Sequence, residues 1–132
     1  MEGRGPRLRR AAIAGAALML AFAAVPALAE VVRGTPDNDR LAGGDRSDTV
    51  SGRAGDDRLN GKAGTDLVKG GAGNDVVIGG TGFDQLRGDA GDDAIRARDG
   101  EPDQIECGPG VDSAVVDAVE DGVFDCETVI EP

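Results

Sequence analysis

Gly70-Gly71-Ala72-Gly73-Asn74-Asp75-Val76-Val77-Ile78 runs without a gap into Gly79-Gly80-Thr81-Gly82-Phe83-Asp84-Gln85-Leu86-Arg87. Both stretches carry glycine at the first, second and fourth positions, aspartate at the sixth and an aliphatic residue at the eighth. Outward from this pair the same frame continues in both directions. Aspartate followed two residues later by an aliphatic side chain recurs as Asp39/Leu41, Asp48/Val50, Asp57/Leu59, Asp66/Val68, Asp75/Val77, Asp84/Leu86 and Asp93/Ile95, always nine residues apart. Five residues before each aspartate stands Gly34, Gly43, Gly52, Gly61, Gly70, Gly79 or Gly88. Two residues before the last five stands Gly55, Gly64, Gly73, Gly82 or Gly91. Three columns locked to one period are the signature of a repeat architecture.

Each unit has two physical parts. The first six residues are turn chemistry, because glycine takes positive φ freely and Asn and Asp tolerate it. The last three are β-prone, and alternation along so short a strand sends the middle side chain to one face and its neighbours to the other. The middle column is wholly aliphatic, whereas its flanks are mixed, as in Arg40 and Ala42, Thr49 and Ser51, or Gln85 and Arg87. The middle column therefore faces inward and the flanks face water. A disordered acidic linker would share the composition, but it needs no periodic apolar residue.

These units resemble the nonapeptide repeats of the repeats-in-toxin (hemolysin-type) family, with consensus Gly-Gly-x-Gly-x-Asp-x-(aliphatic)-x, a calcium-binding repeat. The likeness covers residues 34 to about 98. It implies an all-β fold, a right-handed parallel β-roll in which two repeats make one coil and the strands form two parallel sheets. It also implies several Ca2+ ions held between stacked turns. Carried over residue by residue, the ligands are Asp39, Asp48, Asp57, Asp66, Asp75, Asp84 and Asp93. Turn carbonyls near Gly52, Gly55, Gly61, Gly64, Gly70, Gly73, Gly79, Gly82, Gly88 and Gly91 complete the implied set. Stacked partners lie eighteen residues apart, Asp39 with Asp57 through Asp75 with Asp93. The cleanest sites involve Asp57, Asp66, Asp75, Asp84 and Asp93. Asp37 and Arg46 replace the fourth-position glycine in the first two repeats, while Arg53, Lys62 and Asp89 replace the second-position glycine.

The residue types suit this cation. Calcium takes six to eight oxygens from carboxylates, carbonyls and water. Zinc asks for His or Cys, and the chain has no His. A thin core, many glycines and stacked carboxylates that repel one another imply that folding is coupled to metal binding. The expected affinity is that of extracellular modules, roughly 10⁻⁴–10⁻³ M.

The N-terminus reads as a cleaved secretory signal, residues 1–29. Arg4, Arg7, Arg9 and Arg10 precede an apolar run from Ala11 to Val25, and Ala27-Leu28-Ala29 supplies small residues at a cleavage site. The competing reading, a membrane anchor, needs about 20 apolar residues. Cleavage removes four Arg and Glu2, taking the net charge from −11 to −14. An acidic chain without Trp or Tyr is not a nucleic-acid binder, since phosphates demand basic patches and often stacking aromatics. The mature chain thus divides into the nonapeptide β-roll, 30–98, and a stretch of degenerate repeats forming a C-terminal cap, 99–132. In that cap the period slips by one residue and resumes at Asp103, Asp112 and Asp121. Cys107 and Cys126 are an even pair in an exported chain, which reads as a disulfide. Nineteen residues apart on coils stacked at strand spacing, they fall within bridging distance.

Catalysis is not expected, because Ser47, Ser51 and Ser113 have no visible base and the aspartates are committed to turns. The expected protein is a secreted calcium-binding module. The alternative is a metal-independent surface scaffold or adhesion module, with a cell-envelope or matrix partner.

Overall fold

The computed structural model describes residues 28–117 and 122–132. The signal reading falls almost wholly on residues 1–27, outside the described residues, as does Asp121. Among the described residues no helix is long and apolar enough to cross a membrane.

Every aliphatic triplet forms a short strand. In chain order they are β1 (Val31–Arg33), β2 (Arg40–Ala42), β3 (Thr49–Ser51), β4 (Arg58–Ala63), β5 (Leu67–Lys69), β6 (Val76–Thr81), β7 (Gln85–Arg87), β8 (Ala94–Arg96), β9 (Gln104–Glu106), β10 (Ser113–Val115), β11 (Gly122–Phe124) and β12 (Thr128–Ile130). Odd strands build one sheet in the order β1-β3-β5-β7-β9-β11, and even strands build the other, β12-β10-β8-β6-β4-β2. All pairings are parallel. The chain is a parallel β-solenoid of about five turns. Each coil climbs one strand spacing, about 4.7–4.9 Å.

Register fixes which residues meet. Leu41 lies beside Leu59 and Leu59 beside Val77, eighteen apart. Across the slip the step is nineteen, Leu86 to Ile105 and Ile95 to Ala114, and it returns to eighteen at Ile105 to Val123. The inward column Val32, Leu41, Val50, Leu59, Val68, Val77, Leu86, Ile95, Ile105 and Ala114 is buried and forms one continuous core. From Leu41 onward each inward aliphatic is flanked on the same face by the repeat aspartate before it and the first-position residue after it. Those positions are buried as well, with Ala97, Cys107 and Val116 replacing the glycine near the C-terminal end.

Two features exceed the three-residue strand that the sequence predicts. β4 and β6 extend through their following turns, where Lys62 and Ala63 pair with Gly80 and Thr81. At the far end the last coil shortens, since Ala114 lies beside Val129, only fifteen residues on. All three β12 residues are exposed. Cys107 and Cys126, which follow β9 and β11, are joined by a disulfide with Cα atoms 5.1 Å apart.

The turns require left-handed backbone at recurrent points. Gly73 and Gly82 have φ near +114° and +116°, and a Cβ on either would strike the carbonyl of Gly55 or Gly64 one coil below. Arg53, Lys62 and Asp89 adopt φ of 81°, 82° and 68° without being glycine. Gly82→Ala is therefore expected to destabilise the calcium-loaded roll by about 2 kcal/mol or more in a CD melt. Lys62→Gly removes a strained side chain and is expected to change stability by less than about 1 kcal/mol. Replacing both cysteines by serine should cost about 2–4 kcal/mol. It should speed amide exchange in β11 and β12 while β4–β6 stay protected.

Candidate metal centre

Among the described residues nine aspartates are almost fully buried, Asp39, Asp48, Asp57, Asp66, Asp75, Asp84, Asp93, Asp103 and Asp112. They stack at two edges of the solenoid. On one edge the Asp39 N–H donates to Asp57 Oδ1, Asp57 to Asp75, and Asp75 to Asp93, each at 2.8 Å, and Asp93 to Asp112 at 2.7 Å. On the other, Asp48 donates to Asp66, Asp66 to Asp84, and Asp84 to Asp103, again at 2.8 Å. One carboxylate oxygen of each aspartate after Asp39 is thus held by the backbone of the coil below, with Glu30 donating to Asp48 at 2.7 Å. The five pairs expected at eighteen-residue spacing are all brought together, and the ladder then continues across the slip.

The second oxygen divides the turns into two kinds. Asp39 Oδ2 accepts from the Thr35 N–H at 2.5 Å and the Thr35 hydroxyl at 3.0 Å, and Asp48 Oδ2 accepts from the Gly44 N–H at 2.6 Å. In Asp57, Asp66, Asp75, Asp84, Asp93 and Asp112 the buried Oδ2 has no hydrogen-bond partner. The difference lies four residues upstream. Arg53, Lys62, Gly71, Gly80, Asp89 and Gly108 all have positive φ, whereas Thr35 and Gly44 do not. Turns whose second residue is left-handed are those whose amide leaves the carboxylate alone. The first two turns, which depart from the repeat pattern at Asp37 and Arg46, close on their own aspartate.

At Asp57, Asp66, Asp75, Asp84 and Asp93 the orphaned oxygen faces a space that the first-position glycine leaves open. A Cβ added at Gly61 would lie 2.5 Å from Asp66 Oδ2 and 2.6 Å from the Gly79 carbonyl of the next coil. At Gly70 it would lie 2.5 Å from Asp75 Oδ2 and 2.8 Å from the Gly88 carbonyl. The Gly52 position meets Asp57 Oδ2 and the Gly70 carbonyl in the same way. At Gly79 the three nearest atoms all belong to Asp84, its Oδ2 at 2.6 Å, with no carbonyl among them. Gly55, Gly64 and Gly73 each set a carbonyl against the fourth-position glycine of the following coil. Among the described residues no three His, Cys, Asp or Glu side chains converge as a metal cluster. The donors are therefore isolated carboxylate oxygens set among backbone carbonyls, a hard-oxygen set that fits calcium and not zinc.

Burial raises the carboxyl pKa along the ladder. Asp66, Asp75 and Asp93 are pushed up to about 7 and Asp84 to about 6. Asp57 and Asp112 move in the same direction. Desolvation is the main cause in every case. The hydrogen bond from the neighbouring aspartate's backbone opposes it, and nearby carboxylates such as Asp57 and Asp89 beside Asp75 add to it.

Sequence reasoning did not include Asp103, Asp112 or Glu127 in the site. Asp103 and Asp112 continue the aspartate–aliphatic frame, so the signal was present in the resumed period. Glu127 ends the ladder, its Oε2 accepting from the Asp112 N–H at 2.9 Å. A longer side chain takes the aspartate's place where the coil is three residues short, which no repeat column announces.

Residues 33–68 and 69–101 match the family model for the RTX calcium-binding nonapeptide repeat. With the parallel solenoid and its stacked aspartates, the match places the chain among proteins built from such repeats: it belongs to the RTX calcium-binding repeat family. No curated protein and no solved structure matches the chain. RTX repeats are characteristic of secreted bacterial proteins and are typically non-catalytic.

The raised pKa values set a pH dependence. A carboxyl whose folded pKa exceeds its unfolded value of 3.8 stabilises the metal-free fold below that value, and the contribution is lost as pH rises through about 6–7. In EDTA, acidification from pH 8 to 5 should therefore increase the β signal in far-UV CD. In excess calcium the trend should reverse, since the ligands must be deprotonated to bind.

Proposed function

We propose that the chain is an extracellular calcium-binding module whose β-roll folds as calcium enters the glycine-rich turns. The observation that carries this reading is the row of buried, unpartnered Oδ2 atoms on Asp57, Asp66, Asp75, Asp84 and Asp93. A buried carboxylate oxygen without a partner is costly. Here the cost recurs in register wherever the preceding turn is left-handed, beside an inward carbonyl at Asp57, Asp66, Asp75 and Asp93. A cation bound among these oxygens supplies the missing partner and screens the repulsion along the stack. Asp39 and Asp48, closed by Thr35 and Gly44, would then hold metal weakly or act as an N-terminal cap.

Residues 1–29 serve as the export signal, 30–98 as the calcium-loaded roll and 99–132 as the disulfide-stapled cap. Export moves the chain to a compartment rich in calcium, so folding is favoured there and not before. The module works by binding and shape, without catalysis. A metal-independent scaffold is the competing use of the same fold. The self-satisfied first two turns show the chemistry such a scaffold would need throughout, and the central turns lack it.

A calcium titration of residues 30–132 followed by far-UV CD, with magnesium as control, tests the proposal. The expected result is a calcium-specific rise of β-structure near the millimolar range. Asp75→Asn should shift the midpoint to higher calcium by about threefold or more, and Asp39→Asn by much less. Full β-structure in EDTA at neutral pH, unchanged by calcium, would overturn coupled folding and bring the scaffold reading forward.

A further inference from the structure

The two flat faces of the solenoid differ in charge from its edges. Acidic residues sit in the turns, whereas the strands carry Arg33, Arg40, Arg58, Lys62, Lys69, Arg87 and Arg96 against a single acid, Glu106. On the odd-strand sheet the cations fall in one outward column. Arg33, Ser51, Lys69, Arg87, Glu106 and Phe124 stand on successive strands in register. The column runs from basic at the N-terminal end to aromatic at the C-terminal end.

At the aromatic end the face is hollowed into a cleft of about 130 Å³. Gln85 and Gln104 are cross-strand partners along one side of it, Arg87 and Glu106 along the other. Arg87 Nε lies 3.4 Å from a Glu106 carboxylate oxygen, with both side chains half-exposed. A pair so exposed adds little to stability. Phe124 closes the end of the cleft. Its ring lies back over Gly122, with Cε2 and Cζ 3.5 and 3.9 Å from where a Cβ at that residue would be. Gly122 thus leaves room for the ring to lie along the strand, and the ring remains 60% exposed. An exposed ring beside two planar amides and a guanidinium–carboxylate pair offers an apolar platform with several donors and acceptors. The volume is well below the roughly 300 Å³ of a drug-sized pocket. It suits one polyhydroxylated ring.

We infer that this face binds a short stretch of acidic polysaccharide, one sugar seated against Phe124 and the chain running along the column towards Lys69 and Arg33. A sugar ring presents an apolar C–H face to an aromatic and hydroxyls to amides and charged groups, the complement of the cleft. The cations beyond it complement carboxylates on the sugars that follow. Lys69 and Arg33 stand two strands apart, about 10 Å, which favours a polymer charged on alternate sugars. The inference adds a site to the calcium module and requires the folded roll.

The test uses the full chain saturated with calcium and records amide chemical shifts on adding a hyaluronan oligosaccharide, whose uronates alternate with neutral sugars. A neutral cellulose oligosaccharide and poly-glutamate serve as controls. Shifts confined to the odd-strand sheet, from β11 through β9, β7 and β5 to β3 and β1, are expected. Phe124→Ala should weaken binding about tenfold, and Lys69→Ala should reduce the preference for the acidic over the neutral sugar. Far-UV CD of each sample in calcium separates a lost fold from a lost site. With the roll folded, three results would each overturn the inference. They are the absence of shifts at millimolar hyaluronan, shifts in the turns instead of the face, and poly-glutamate binding equally well with no effect of Phe124→Ala.

Discussion

Each coil of this solenoid hangs on an aspartate that has left water. Its backbone N–H reaches the carboxylate of the aspartate one coil on, and its own carboxylate receives the N–H of the coil before. The strands are only three residues long for the most part, too short to fix a register by themselves. The side-chain ladder fixes it for them, because an aspartate displaced by one residue would lose its donor and turn its carboxylate out of the stack. The aliphatic column then falls into line, since each member lies two residues from an anchored aspartate. Packing and hydrogen bonding thus specify the same period, a mutual consistency that gives a single fold its energetic advantage.

The same ladder creates the need for a ligand. A carboxylate has two oxygens, and the neighbouring backbone satisfies one. Where the turn keeps Thr35 or Gly44 out of the left-handed region, the local amide satisfies the other. Where the turn is left-handed, that amide is directed elsewhere and the oxygen remains buried and alone. Backbone conformation four residues upstream therefore decides whether a turn is self-contained or open to a cation. The non-glycine residues Arg53, Lys62 and Asp89 take left-handed φ in three turns of the open form, a conformation that strains any residue with a Cβ.

The ends obey different rules from the middle. Near the C-terminus the first-position glycine gives way to Ala97, Cys107 and Val116, all of them buried. The coil shortens, Glu127 reaches in to close the ladder, and the disulfide ties β9 to β11 through the residues that follow them. A solenoid end lacks the next coil that would cover it, and a covalent staple with a longer acidic side chain supplies part of what is missing.

The eighteen-residue stacking of the aspartates was implied by the resemblance to the repeats-in-toxin family, whereas the nine-residue period by itself determined the strands and the inward column, because each is a local consequence of position within a repeat. The even cysteine pair was legible in the same way. What required the tertiary structure was which oxygen of each aspartate is satisfied, since that depends on the φ of a residue four positions earlier and on the carbonyl of a coil eighteen residues away. It also required three dimensions to extend the ladder through Asp103 and Asp112, end it on Glu127, and lay Phe124 over Gly122 beside Gln85 and Gln104. Those contacts join residues whose spacing breaks the repeat, and a broken period carries no register until the coils are stacked.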